Sequence, residues 1–174
     1  MTQVEMAYAQ GLYALTQEEG LTEQIMTELS VLEQAVDAQY LSLLSTPALS
    51  KEERCGLLDQ AFRDKVHIYV LNFMKLLTEK GYIRHFSGCC RAFRQLYNED
   101  RGILPVRVVS AAALTDSQMQ RLTETLEKRT GKTVQLQCSV DTDVLGGIRL
   151  DYDGVRIDGT VKARLDEVRR LLLK

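Results

Sequence analysis

Histidine and proline are both scarce in this sequence, at two residues each out of 174. His67 and His85 are the whole imidazole inventory. They leave little for acid–base catalysis, which needs a nucleophile or base held near a partner group. Both fall on expected helices, His67 near a helix start and His85 beside Arg84, where a solvated or packed side chain accounts for them. The patterns G-x-x-x-x-G-K-S/T, H-E-x-x-H and G-x-S-x-G are all missing. No catalytic residue, cofactor site or metal site is expected. Nor does any apolar run approach the ~18–20 residues that cross a bilayer. Met1 to Gln10 carries Glu5 and lacks the basic start and apolar block of a secretory signal. The chain is therefore expected in the cytoplasm, without direct bilayer insertion, reaching a membrane only through a partner.

A dominant charge of one sign is missing as well. The net charge is −2, from 22 Lys and Arg against 24 Asp and Glu. Residues 1–102 carry 10 basic and 14 acidic side chains, and residues 103–174 carry 12 and 10. Phosphate neutralisation is the main source of nucleic-acid affinity, so nucleic acid is not an expected partner. Arg84, Arg91 and Arg94, with Phe93 and Tyr97 between them, lie in the acidic half and read as a solvated or salt-bridged helix face. The four cysteines, Cys55, Cys89, Cys90 and Cys138, form no C-x-x-C pair and are not spaced from the histidines as zinc ligands are. Free, partly buried thiols are expected. Cys89 and Cys90 are adjacent and point about 100° apart on a helix.

From residue 4 to about residue 100, apolar residues recur at helical spacing. Val4, Tyr8, Leu12 and Leu15 mark a first helix. Leu21, Ile25, Leu29, Leu32, Val36 and Leu43 form a stripe of about six turns, which Thr46-Pro47 breaks because proline disfavours helix in the residue before it. Ser50 and Glu53 form a capping box for a third helix with Leu57, Leu58, Ala61 and Phe62 on its buried face. A fourth runs from about Val66 to Glu79, with Val66, Tyr69, Val70, Phe73, Leu76 and Leu77 facing inward and Gly81 as left-handed terminator. A fifth runs from about Ile83 to Glu99 through Phe86, Cys90, Phe93 and Tyr97. Such stripes can be buried only against each other, so residues 1–102 form an all-α helical bundle.

After Arg101-Gly102 the period changes to that of a strand, with Val106 and Val108 alternating with Arg107 and Val109. Thr115 and Gln118 form a second capping box, opening a helix through Met119, Leu122 and Leu126 that stops at Gly131. Val134, Leu136, Cys138 and Val140 alternate with polar residues. Ile148, Leu150 and Tyr152 then meet the hairpin signal Asp153-Gly154, and Val155 to Ile157 returns. A last amphipathic helix carries Val161, Leu165, Val168 and Leu172. Residues 103–174 are thus a small α+β domain, and the fold class is α+β overall. Gly146-Gly147 lies between strands and opens no helix, so a tight turn or bulge explains it better than a phosphate cradle. Asp141 and Asp143 read as exposed carboxylates of a turn.

Over essentially its whole length the chain resembles the delta subunit of F-type ATP synthases, the family of the mitochondrial oligomycin-sensitivity-conferring protein. The resemblance is carried most specifically by Thr130-Gly131-Lys132, by Val140-Asp141-Thr142-Asp143-Val144-Leu145-Gly146-Gly147, and by Ile157-Asp158-Gly159-Thr160-Val161-Lys162-Ala163-Arg164-Leu165. Ser110 to Thr115, Tyr8 to Tyr13, Pro47 and Asn72-Phe73 fall in register with it. One stretch departs: relatives often carry Asn/Asp-Gly or Asn-Arg after the fourth helix, where this chain has Gly81-Tyr82, with Arg84 two places on.

The resemblance implies a non-catalytic stator, or peripheral stalk, subunit present in one copy per complex at the cytoplasmic face of the cell membrane. Residues 1–102 would take the N-terminal helix of an alpha subunit into a groove between the first and fifth helices. Residues 103–174 would meet the C-terminal ends of the b subunits. The matched groove residues are Tyr8, Gly11, Leu12, Asn72, Phe73 and Leu76. Tyr8, Leu12, Phe73 and Leu76 also fit as plain core of the bundle. A glycine on a helix face costs about 1 kcal/mol relative to alanine and admits another backbone closely. Asp158 or Thr160 can cap the final helix. An unrelated helical adaptor would share the pattern of the first half but not the ordered signature from Thr130 to Leu165.

Overall fold

The structure is a computed structural model describing residues 2–46, 48–142, 144–163 and 165. The chain divides into two compact units, Met1–Tyr97 and Asn98–Lys174.

The N-terminal unit opens with α1, Gln3–Glu18, started by a capping box in which the Thr2 hydroxyl accepts from Glu5 N and the Glu5 carboxylate accepts from Thr2 N at 2.6 Å. The stripe expected to form one second helix is two helices, α2 (Thr22–Ala35) and α3 (Ala38–Leu44). Between them Val36 is extended, at φ −89° and ψ 107°, and the Asp37 carboxylate accepts from Tyr40 N at 2.7 Å. Asp at an N-cap competes well with continued helix because it satisfies a backbone donor the helix leaves open. The apolar spacing runs on across this break and does not report it.

Next come α4 (Lys51–Phe62), begun by the expected Ser50–Glu53 capping box, and α5 (Ile68–Glu79). His67 caps α5, its Nδ1 accepting from Tyr69 N at 3.3 Å, so the helix starts two residues after Val66. A 3-10 turn, Ile83–His85, leads into α6, Phe86–Asp100. The core of this unit gathers Ile25, Leu29 and Leu32 of α2, Val70, Leu71, Met74 and Leu77 of α5, and Phe86 and Phe93 of α6. Each fully buried side chain of this size contributes about 1.5–3 kcal/mol. All four cysteines are free. Cys89 and Cys90 are both buried, and burial raises both thiol pKa values, that of Cys89 to about 11. Arg84 Nε donates to Ser45 Oγ at 2.8 Å, Arg94 pairs with Glu33 at 2.6 Å, and Phe93 is in the core, edge-on to Tyr13.

The C-terminal unit has β1 (Ile103–Ser110), α7 (Asp116–Thr130), β2 (Thr133–Val140), β3 (Ile148–Tyr152) and β4 (Val155–Asp158), in sheet order β2-β1-β3-β4. β1 and β2 are parallel and α7 is their crossover, while β3 runs antiparallel to β1 and to β4. The Thr115–Gln118 capping box and the left-handed Gly131 bound α7 as the sequence suggests. Pro105 sits within β1, in register with Gln135 of β2 but ahead of the stretch 107–110 that pairs with β3. A missing N–H is tolerated there because one side of the strand has no ladder. Leu104, Val106, Val108, Val134 and Leu150 form the core of the sheet with Leu126 of α7. Cys138 and Val140, which alternate as though buried, are exposed.

Gly147, at φ 84°, is where the C-terminal strands draw together: Gly159 N donates to Ile148 O and Val161 N to Gly146 O, both at 3.0 Å. Past β4, the Asp158 carboxylate accepts from Thr160 N at 3.0 Å, and Thr160 Oγ1 accepts from Ala163 N at 3.2 Å. Thr160 is therefore the cap of the helical turn at 161–163. Pro47, Asp143, Arg164, Val168 and Leu172, named from the sequence, lie outside the described residues.

Candidate functional site: a groove between α1 and α5

Tyr8, Gly11, Leu12, Asn72, Phe73 and Leu76 all line one groove of about 380 Å³ in the N-terminal unit. The first three are spaced along α1 and the others along α5, four and three residues apart, the spacing that puts side chains on one helix face. Counted from the sequence, the second set belongs to the fourth helix. The break at Asp37 makes it the fifth, so the groove lies between the first and fifth helices.

Core and groove share these side chains. Leu12 and Phe73 are buried and form the floor, while Asn72 is exposed. Leu76, expected to face inward, is 40% exposed, as is Leu15. Leu15, Ala7 and Tyr69 complete the lining and were not singled out as site residues. Their signal is present: Leu15 stands four residues after Gly11, and Tyr69 three before Asn72. Such leucines along an apolar trough suit the anchors of an amphipathic helix.

Among the described residues nothing requires a glycine at position 11. A β-carbon built on it meets nothing within 4 Å, and its φ is an ordinary one. The glycine leaves open space at mid-groove, where a side chain would project.

The other candidates carry no such arrangement. His67 caps α5, and its backbone N–H donates to Glu28 Oε2 at 2.7 Å. His85 Nδ1 lies 3.0 Å from Glu5 Oε1. Glu5 is buried, and its carboxyl is held below the usual glutamate range, first by the hydrogen bond from Thr2 N and next by His85. Among the described residues no three His, Cys, Asp or Glu side chains are grouped to hold a metal ion, and no helix is long and apolar enough to cross a membrane. At Gly147 a β-carbon would run into the Gly159 carbonyl oxygen and the Thr160 Cα, so Gly146-Gly147 serves a close backbone approach.

Comparison with known proteins says to which family the chain belongs. The family model of the ATP synthase delta (OSCP) subunit matches residues 4–172. The ATP synthase subunit delta of Desulfitobacterium hafniense is 32% identical over 171 residues, covering 97% of this chain and 96% of that one. That of Clostridium kluyveri is 27% identical over 173 residues, covering 98% and 96%. In the cryo-EM structure of the Toxoplasma gondii mitochondrial ATP synthase hexamer, one chain superposes with a TM-score of 0.76 over 99% of both chains, at 19% identity. That likeness is one of fold. The chain belongs to the ATP synthase delta (OSCP) subunit family.

Proposed function

We propose that the protein is a non-catalytic stator subunit of the proton-translocating F-type ATP synthase, part of its peripheral stalk. One copy per complex links the catalytic alpha/beta head to the b subunits. The N-terminal unit takes the N-terminal helix of an alpha subunit into the α1/α5 groove, and the C-terminal unit meets the C-terminal ends of the b subunits. The protein sits at the cytoplasmic face of the membrane as a peripheral component and needs no cofactor. Its work is mechanical. Rotation of the central shaft exerts torque on the head, and a link that slips dissipates the stored energy without making ATP. Helix-in-groove docking suits a link under load, because anchors at i, i+3, i+4 and i+7 bury area along a whole helix.

The observation that carries this reading is the groove itself. Six residues matched to the family from the sequence line one trough, and Gly11 leaves a space in which no atom of the described residues comes within 4 Å of a β-carbon. The test is a calorimetric titration of the full chain with a synthetic peptide of the alpha-subunit N-terminus from the same organism. Saturable one-to-one binding that Gly11→Leu weakens is expected. Binding that Gly11→Leu leaves untouched would keep the stator role and refute the site. No binding at high micromolar peptide would refute the docking of the alpha-subunit helix on this unit and leave family membership untouched.

A further inference from the structure

The groove has a support that its lining does not reveal. Past the end of α5, Gly81 takes φ 78°, its N–H donates to Thr78 O at 3.2 Å, and Tyr82 N donates to Leu77 O at 2.7 Å. This is a Schellman termination, which fixes where the next side chain goes. It brings the Tyr82 ring to 6.0 Å from the ring of Tyr8, tilted at 51°. Tyr82 also meets His85 edge-on at 6.1 Å, and His85 bonds to Glu5 at 3.0 Å. Glu5 and Tyr8 are three residues apart on α1, one turn of helix. Four side chains thus close a ring, two on α1 and two on the connection between α5 and α6.

We propose that Tyr82 is a positioning residue for the partner-binding groove: it props the ring of Tyr8, and His85, anchored on Glu5, holds Tyr82 in place. Tyr8 is a groove wall that is only half-buried, packed on the core from one side, so the Tyr82 ring helps to set where its own ring stands. The contact is made by the rings, since neither phenol hydroxyl has a hydrogen-bond partner among the described residues. The inference rests on the groove being the docking site.

The test uses the full chain and the same alpha-subunit N-terminal peptide. Tyr82→Ala should weaken binding roughly 3–10-fold, the worth of one aromatic pair, and Tyr82→Phe should bind as wild type. In a Tyr8→Ala background, Tyr82→Ala should change nothing further, which a merely stabilising role or a direct contact with the peptide would not produce. Thermal melting reports whether each variant is folded, and Tyr82→Leu replaces Tyr82→Ala should the latter unfold. Equal weakening in both backgrounds overturns the positioning role, as does full affinity in Tyr82→Ala while Gly11→Leu still weakens binding. Failure of the wild type to bind overturns the groove reading and this inference together.

Discussion

Gly88 of α6 lies so close to Glu5 of α1 that a β-carbon on it would run into the Glu5 carboxylate. The glycine makes room for a buried carboxylate that ties the start of α1 to the 3-10 turn.

Gly88→Ala should therefore destabilise the protein although alanine is the better helix former. Displacing the carboxylate loses the bonds to Thr2 N and His85, a cost of about 2 kcal/mol, against a propensity gain of up to about 1 kcal/mol. A net loss of about 1 kcal/mol is expected. In a Glu5→Ala background nothing is left to displace, and Gly88→Ala should stabilise. Urea unfolding of the four proteins of this cycle measures the change of sign.

The same carboxylate makes stability depend on acid. Glu5 and Glu53, the two capping-box glutamates of α1 and α4, both have pKa values lowered from the ordinary 4.5, chiefly by hydrogen bonds from the cap backbone. A carboxylate with a depressed folded pKa contributes stability that is complete above the unfolded value and is lost as pH falls through the folded value. The loss should begin below pH 4.5 and continue until both are protonated. Glu5→Gln and Glu53→Gln should each flatten the dependence of the urea midpoint on pH in that range.

Local chemistry explains why much of the fold was legible in the sequence. Ser50 with Glu53, Thr115 with Gln118, Gly131, and Asp153-Gly154 each act over three or four residues, and each does in the structure what its residue types dictate. Thr2 with Glu5 has the same pattern and starts α1 in the same way. The break at Asp37 was hidden because the apolar period continues through it. Periodicity also cannot say what covers an apolar face. Leu15 and Leu76 share their stripes with buried residues yet stand open on the groove, and Val140 alternates perfectly and stays exposed. The groove residues came from family resemblance. The prop from Tyr82 joins positions 74 residues apart, and no local rule brings them together.

Gly147 tests the C-terminal unit alone. Alanine there meets a left-handed φ of 84° and the backbone of Gly159 and Thr160. Backbone cannot step aside as a flexible side chain can, so Gly147→Ala should cost about 2 kcal/mol or more. Hydrogen exchange should show amides of β1 and β3 losing protection while those of α2 and α5 keep theirs. Uniform loss across both units would mean that they unfold as one.

Gly11 should behave in the opposite way. With an ordinary helical backbone and nothing within 4 Å of a β-carbon, Gly11→Ala removes the entropy cost of glycine without a clash. It should stabilise the free protein by up to about 1 kcal/mol, a rise of a few degrees in Tm. A residue that improves stability when replaced is being kept for something other than the fold. Gly11→Leu should melt close to wild type, because its side chain projects into open space, yet it should bind the alpha-subunit peptide more weakly. Lower Tm in Gly11→Ala would mean that the glycine serves the bundle, and the space at mid-groove would then need no partner to explain it.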